Sequence, residues 1–223
     1  MPATERILII GASGHGRVAA DAAAASGLRN VVGFLDARFP ELSATAGIPV
    51  LGREQDCAEL VRRHRIDGVV VAVGDNWTRS QVVEHLRSAV PDLRFATVIH
   101  PRACVARDAT LGPGSVAFAG AVVNPGARVG SHVIVNTAAS IDHDCTVEDF
   151  ASLAPHAVLG GGTTVGAYAA VGIGAIAIHN VQIGAHTVVG AGSVVLRSLP
   201  PSVVAMGVPA RVVHRREVHE RYL

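Results

Sequence analysis

Two hydrophobic periodicities divide the chain. Up to about residue 98, short apolar runs alternate with alanine-rich or amphipathic stretches. Arg6–Ile10, Val31–Leu35 and Gly68–Val73 read as buried strands, and Arg17–Ser26, Arg53–His64 and Trp77–Ala89 as helices, with Gly27 and Pro91 as stops. Strand and helix in alternation predict a parallel sheet with helices on its faces, a small Rossmann-like α/β domain over residues 1–98. From Ile99 the period becomes six. Of the seventeen residues at every sixth position from Ile99 to Val195, fifteen are Ile, Leu or Val and two are Ala. A second series four residues later, from Ala103 to Ala175, is mostly small. The frame runs about a hundred residues without an insertion, so it predicts stacked coils, each burying its apolar residues against the next.

This hexapeptide repeat resembles that of the left-handed parallel β-helix acyltransferases. In that fold three hexads make one triangular coil. Seventeen hexads then give between five and six coils over residues 99–223, a prism roughly 27 Å tall at the usual strand spacing. Since no hexad carries an inserted loop, a site must come from the prism's own faces, a neighbouring subunit or the N-terminal domain.

Composition narrows the chemistry. Nineteen basic residues balance eighteen acidic ones, which gives no electrostatic reason to expect nucleic acid or an anionic membrane as partner. Every basic residue is Arg, so Schiff-base chemistry, a Walker-type phosphate lysine and a Tyr-Lys dehydrogenase pair are excluded. Cys57, Cys104 and Cys145 are scattered and form no CxxC, as expected of a reducing cytoplasm. No apolar run reaches membrane-spanning length, and Glu5 and Arg6 lead straight into a strand, unlike a signal peptide.

The densest chemistry lies at Ile141-Asp142-His143-Asp144-Cys145. Between residues 109 and 200 the only acids are Asp142, Asp144, Glu148 and Asp149, gathered around His143. The hexad frame turns Ile141 and Cys145 inward and His143 and Asp144 outward, so Cys145 reads as a small core residue. Eighteen-residue stacking sets Pro125, Gly161 and His179 on the same face as His143. Gly161 lies in Gly160-Gly161-Gly162, which predicts an open notch with backbone N–H donors beside an imidazole. Acyl transfer needs that combination, a base for the nucleophile's proton and a donor for the carbonyl oxygen. His132, His156, His179 and His186 read as solvated edge residues. Their spacing offers no counterpart to the zinc ligands of the γ-class carbonic anhydrases, and no metal is expected.

A second constellation is Gly11-Ala12-Ser13-Gly14-His15-Gly16, after one strand and before a helix, with Asp36 ending the next strand. Glycines admit phosphate to the backbone, the helix N-terminus supplies N–H donors, and the acid suits a ribose or base edge. The spacing is not GxGxxG, which favours a nucleotide half-site over NAD. Gly74-Asp75-Asn76, with Arg79 on the following helix, falls at the same strand ends and is expected to complete the pocket.

Taken together, Gly11–Arg17, Val73–Asn76 with Arg79, Ile141–Cys145 and Met206-Gly207-Val208-Pro209-Ala210-Arg211 make the whole chain resemble the sialic acid O-acetyltransferase-type sugar acetyltransferases. That family includes enzymes that N-acetylate nucleotide-linked 4-amino-4,6-dideoxy sugars. The resemblance implies His143 as general base with Asp144 as its acidic partner, and acetyl-CoA as cosubstrate. It implies a sugar nucleotide held by Gly11, Ser13, Gly14, His15, Gly16, Asp36, Asp75 and Asn76. Ser152, Gly161, Ile173, Ala191, Gly207 and Pro209 are the implied acetyl-CoA contacts. Two departures stand out: relatives often carry a second His nine residues after the base, where this chain has Ser152, and Asp144 replaces the Glu of some relatives. The expected enzyme is a cytoplasmic homotrimer that acetylates an amine of a UDP-, GDP- or dTDP-linked sugar. Acetylation of a sugar hydroxyl, and a non-catalytic sugar-nucleotide scaffold, are the alternatives.

Overall fold

The computed structural model describes residues 4–222. Its N-terminal sheet has five strands, β1 (Glu5–Ile10), β2 (Arg29–Leu35), β3 (Ala44–Thr45), β4 (Ile48–Gly52) and β5 (Gly68–Val71), in the order β3-β4-β2-β1-β5. All neighbours are parallel except the β3–β4 hairpin. Alternation along β1 sends Ile7 and Ile9 to one face, packed on helix α1 (Gly14–Ala25), and Leu8 and Ile10 to the other. Helices α2 (Cys57–His64) and α3 (Asn76–Ala89) cover that second face. The hairpin is an element the hydrophobic pattern did not announce. Its apolar run is short and interrupted by Pro49, as suits a strand near a sheet edge.

The remainder is a three-faced prism of two-residue strands. Parallel partners are offset by 18 residues, as in Val122↔Ser140, Ser140↔Val158 and Val158↔Ile176, until the last pair, Val188↔Val204, where the offset is 16. The three sheets hold eight, six and five strands. Both inward series are buried: Ile141, Val147, Leu153 and Leu159 with Ala139, Cys145, Ala151 and Ala157 fill the axis. The largest sheet begins at Val98–Ile99 and ends in a hairpin, Val203–Met206 with Arg211–Arg215, whose turn is the Gly207–Ala210 segment.

From Gly114 onward each corner holds one residue in the left-handed region. Every sixth residue from Gly114 to Gly192 has a positive φ, including His132, Asp144, Phe150, Tyr168 and His186. Because equivalent corners stack at 18 residues, His132, Phe150, Tyr168 and His186 form one ladder of nearly parallel rings, with centroids 5.0, 5.3 and 4.6 Å apart. Trp77 of α3 leans on its Tyr168–His186 end and Phe95 on His132, which joins the two parts of the molecule. His132 is therefore buried, not solvated, because the ladder and Phe95 enclose it.

Arg79 spans the seam. Fully buried, its guanidinium donates to the carbonyls of Val73, Gly74, His132 and Phe150 and to the Asn76 side chain. Asn76 in turn donates to the carbonyls of Tyr168 and Ala169.

Candidate active site

His143 projects from the corner between the second and third prism faces, between the strands Ser140–Ile141 and Thr146–Val147. Its backbone N–H donates to Asp142 Oδ1 (2.8 Å), which also accepts from Asn124 Nδ2 (2.9 Å). Asp144, next in sequence at a left-handed corner, turns its Oδ2 to His143 Nδ1 at 2.9 Å. That contact assigns the proton to Nδ1 and leaves the Nε2 lone pair as the basic position. The hydrogen bond to Asp144, followed by the charge of Asp142, raises the imidazole above its ordinary pKa. The His143 N–H and the Asn124 amide hold the Asp142 carboxyl below its usual range.

Gly161 lies directly under the imidazole. A Cβ at 161 would stand 2.5 Å from Nε2. The missing side chain therefore makes room for the ring itself, a correction to the expected empty notch beside it. The neighbouring Gly160 and Gly162 N–H groups bond to Ala177 and His143 carbonyls, whereas the Gly161 N–H faces the Asp142 carboxylate. Cys145 is buried with its thiol toward the Gly160 carbonyl, and burial pushes its pKa up, so it is no nucleophile.

A largely apolar cavity of about 500 Å³ lies on the first face and at its corner with the second. Ser152, Ile173 and Ala191 line it, with His15 and Gly74 from the N-terminal part and Met206 and Tyr222 from the C-terminal part. Gly161, Gly207 and Pro209 are not among its lining residues. Gly207 instead shapes the terminal hairpin at φ +103°, its N–H bound by Ser193 Oγ. Burial lowers the pKa of His15 to about 4, so it enters the cavity as a neutral imidazole. The sequence marked the motif that begins at Met206 but took its contacts from Gly207 and Pro209, and it missed Tyr222, which no repeat or motif links to a prism face.

A second cavity, about 580 Å³, opens at the carboxyl ends of β1, β2 and β5, where the strand order reverses. Gly11 and Asp36 line it, with Arg53, Gln55 and His85, which the sequence had not marked. Asp36 is already engaged: it accepts from the Ala12 N–H (2.8 Å) and from Arg38 Nε (2.7 Å) and Nη2 (2.9 Å). The Arg38 guanidinium, above all, holds its carboxyl far below the usual range. Its first role here is to hold the glycine turn in place. Ser13 caps α1 without a side-chain hydrogen bond, and Gly14 has open space around its Cβ position. Gly16 has none, since a Cβ would run into the Gly11 carbonyl.

Asp75 and Asn76 do not reach this cavity. Asp75 caps α3 through Thr78, and Asn76 is sealed in the seam with Arg79. The Asn76 side chain and Asp75 Oδ1 find their hydrogen-bond partners within the protein. Among the described residues no three His, Cys, Asp or Glu side chains converge as metal ligands, and no helix is long and apolar enough to cross a membrane.

Residues 6–86 match the family model of the PglD N-terminal domain. The acetyltransferase domain of PglB from Neisseria gonorrhoeae FA1090 shares 35% identity over 94% of this chain and all of its own, with a TM-score of 0.88. The chain belongs to the hexapeptide-repeat family of acetyl-CoA-dependent sugar acetyltransferases. A second member, PerB from Caulobacter crescentus in complex with CoA and GDP-perosamine, is 38% identical over 94% of this chain and 98% of its own, at a TM-score of 0.87. WeeI from Acinetobacter baumannii AYE, 23% identical over 94% of this chain and all of its own at a TM-score of 0.78, shares the fold. Within this sugar acetyltransferase family, the α/β unit and the prism occur in one arrangement that spans nearly the whole chain.

Proposed function

We propose that this acetyltransferase moves the acetyl group of acetyl-CoA onto the amino group of a nucleotide-linked 4-amino sugar, with His143 as general base. The observation that carries the reading is the His143–Asp144 pair, solvent-facing and 2.9 Å apart, with Nε2 unpaired. The amine attacks the thioester carbon as Nε2 takes a proton from nitrogen, and the C–S bond breaks to release CoA. No acyl-enzyme is needed, which agrees with the burial of Cys145. The PerB complex with CoA and GDP-perosamine favours an amine acceptor over a hydroxyl and guanosine as the first nucleotide to test.

We assign coenzyme A to the apolar cavity and the nucleotide to the cavity at the ends of β1 and β2. Apolar cavity and base lie at different corners, separated by a prism face roughly 15–20 Å wide at ~3.3 Å per residue. No proton passes across such a gap. The reaction therefore joins His143 of one subunit to the acetyl-CoA cavity of another, in a cyclic homotrimer. Three free thiols and the two cytoplasmic substrates support a cytoplasmic enzyme. The test is a panel of UDP-, GDP- and dTDP-linked 4-amino sugars with acetyl-CoA. One of them should be acetylated by the wild type and not by His143→Ala, while acetylation of none would reject the acceptor.

A further inference from the structure

The C-terminal segment returns from the last prism coil to the seam between the two parts of the molecule. Arg216, buried, ends the hairpin and organises this return. Its N–H donates to the Ser202 carbonyl, and its guanidinium donates to the carbonyls of His186 (2.8 Å) and Glu220. The guanidinium also lies over the Tyr222 ring, 5.6 Å from the centroid. Glu220 is tied back by a backbone hydrogen bond to Glu217. The result is a tight turn that delivers Tyr222 into the wall of the apolar cavity, with its hydroxyl 3.4 Å from Ser152 Oγ. The Asn76 backbone N–H, at the start of α3, also faces the phenol oxygen, and burial raises the phenol above its ordinary pKa.

We propose that the Tyr222 hydroxyl, paired with Ser152, donates a hydrogen bond to a carbonyl oxygen of the coenzyme A ligand inside this cavity. The donor sense follows from the surroundings. Either hydroxyl of the pair can donate to the other; with Ser152 donating to the phenol oxygen, the phenol, protonated at neutral pH, keeps its own proton for the cavity. The rest of the lining is mostly aliphatic, as suits an extended chain with few polar atoms, and the hydroxyl pair forms one polar spot in it. Such a chain carries two kinds of carbonyl, the thioester and the amides, and both present the same acceptor.

The inference rests on the assignment of coenzyme A to this cavity, and the experiment separates the two. Dissociation constants for acetyl-CoA and for CoA are measured calorimetrically with the wild-type enzyme, Tyr222→Phe and Ile173→Asp. Ile173 is a 60% exposed residue of the same lining, so its replacement spares the fold. Tyr222→Phe keeps the ring that packs beneath Arg216 and removes only the hydroxyl. It should weaken acetyl-CoA roughly five- to tenfold, the effect of one hydrogen bond, with an unchanged melting temperature. If CoA binding is untouched, the acceptor is the thioester; an equal loss for CoA makes it an amide. Unaltered affinity for both ligands in Tyr222→Phe, with Ile173→Asp defective, overturns the role of Tyr222 alone. Normal binding by Ile173→Asp overturns the cavity assignment and the inference together.

Discussion

His143 owes its proposed role to one contact on each side of the ring. Asp144 fixes Nδ1, and Gly161 allows the Nε2 edge to lie flat on the neighbouring coil. Replacement by Ala should lower turnover by roughly 10²–10⁴-fold while acetyl-CoA binds normally. The base works only when neutral and its pKa is raised, so activity should rise with pH through a limb above the ordinary histidine value. Asp144→Asn removes the main cause of that shift and should move the limb to lower pH, at a smaller cost than His143→Ala. A pH–rate profile of both enzymes checks this; an unmoved limb would detach Asp144 from the base. Gly161→Val would set a side chain on Nε2, so the loss should fall on kcat through a displaced ring more than on acetyl-CoA affinity. The candidate base stood out in the sequence because the only four acids between residues 109 and 200 gather around one His. Ring orientation was not: the 18-residue register names the neighbour, but a side-chain torsion decides what covers it.

At the scale of elements, the strand-end motifs divide into one that faces a cavity and one that fastens two domains. Gly14→Val meets only the Arg17 guanidinium, 4.0 Å away, so the variant should fold normally and raise the apparent KM for the sugar nucleotide. Unchanged kinetics with every sugar nucleotide would remove the glycine turn from the acceptor site. The Asn76–Arg79 clasp looked like the same kind of site in sequence, because a polar residue after a strand is as suitable for a cap or a seam as for a ligand. Only the packing of α3 on the prism distinguishes these uses. The aromatic ladder was within reach of the sequence, since His132, Phe150, Tyr168 and His186 are 18 residues apart, yet their corner position suggested solvent. Burial lowers the pKa of His132 to about 3. The unfolded chain thus binds a proton that the folded one does not, and stability present above about pH 6.5 is lost as the pH falls toward 3. The loss between pH 7 and pH 5 is about 2 kcal/mol. Thermal unfolding of His132→Phe at the two pH values should show this share of the dependence removed and leave that of His15, whose pKa burial also lowers; an undiminished dependence would place its source elsewhere.

The whole molecule carries three outward faces of different chemistry. One is covered by the N-terminal domain and the C-terminal segment, and one presents Thr110, Arg128, Thr146, Thr164 and Gln182. The face between His143 and the apolar cavity presents Val122, Val158, Ile176 and Val194 around Ser140, with Val158 37% and Ile176 42% exposed. An apolar strip between the two halves of a reaction is where a neighbouring prism would pack. Light scattering should report about three times the 22.9 kDa chain mass, and a monomer would contradict an intersubunit site. The repeat count and strand offset made the prism readable from the sequence. Where a neighbouring prism would pack depends on which 18-residue series faces outward on each side, which the six-residue period does not separate.

The most direct test of the catalytic account is the chemical identity of the product. The wild-type enzyme is incubated with acetyl-CoA and a GDP-linked 4-amino-4,6-dideoxy sugar, and the product is assigned by mass spectrometry and NMR. One acetyl group, held as an amide on the sugar nitrogen, should form with the wild type and be lost with His143→Ala. An ester on a sugar oxygen, or the same amide formed at the wild-type rate without His143, would contradict it.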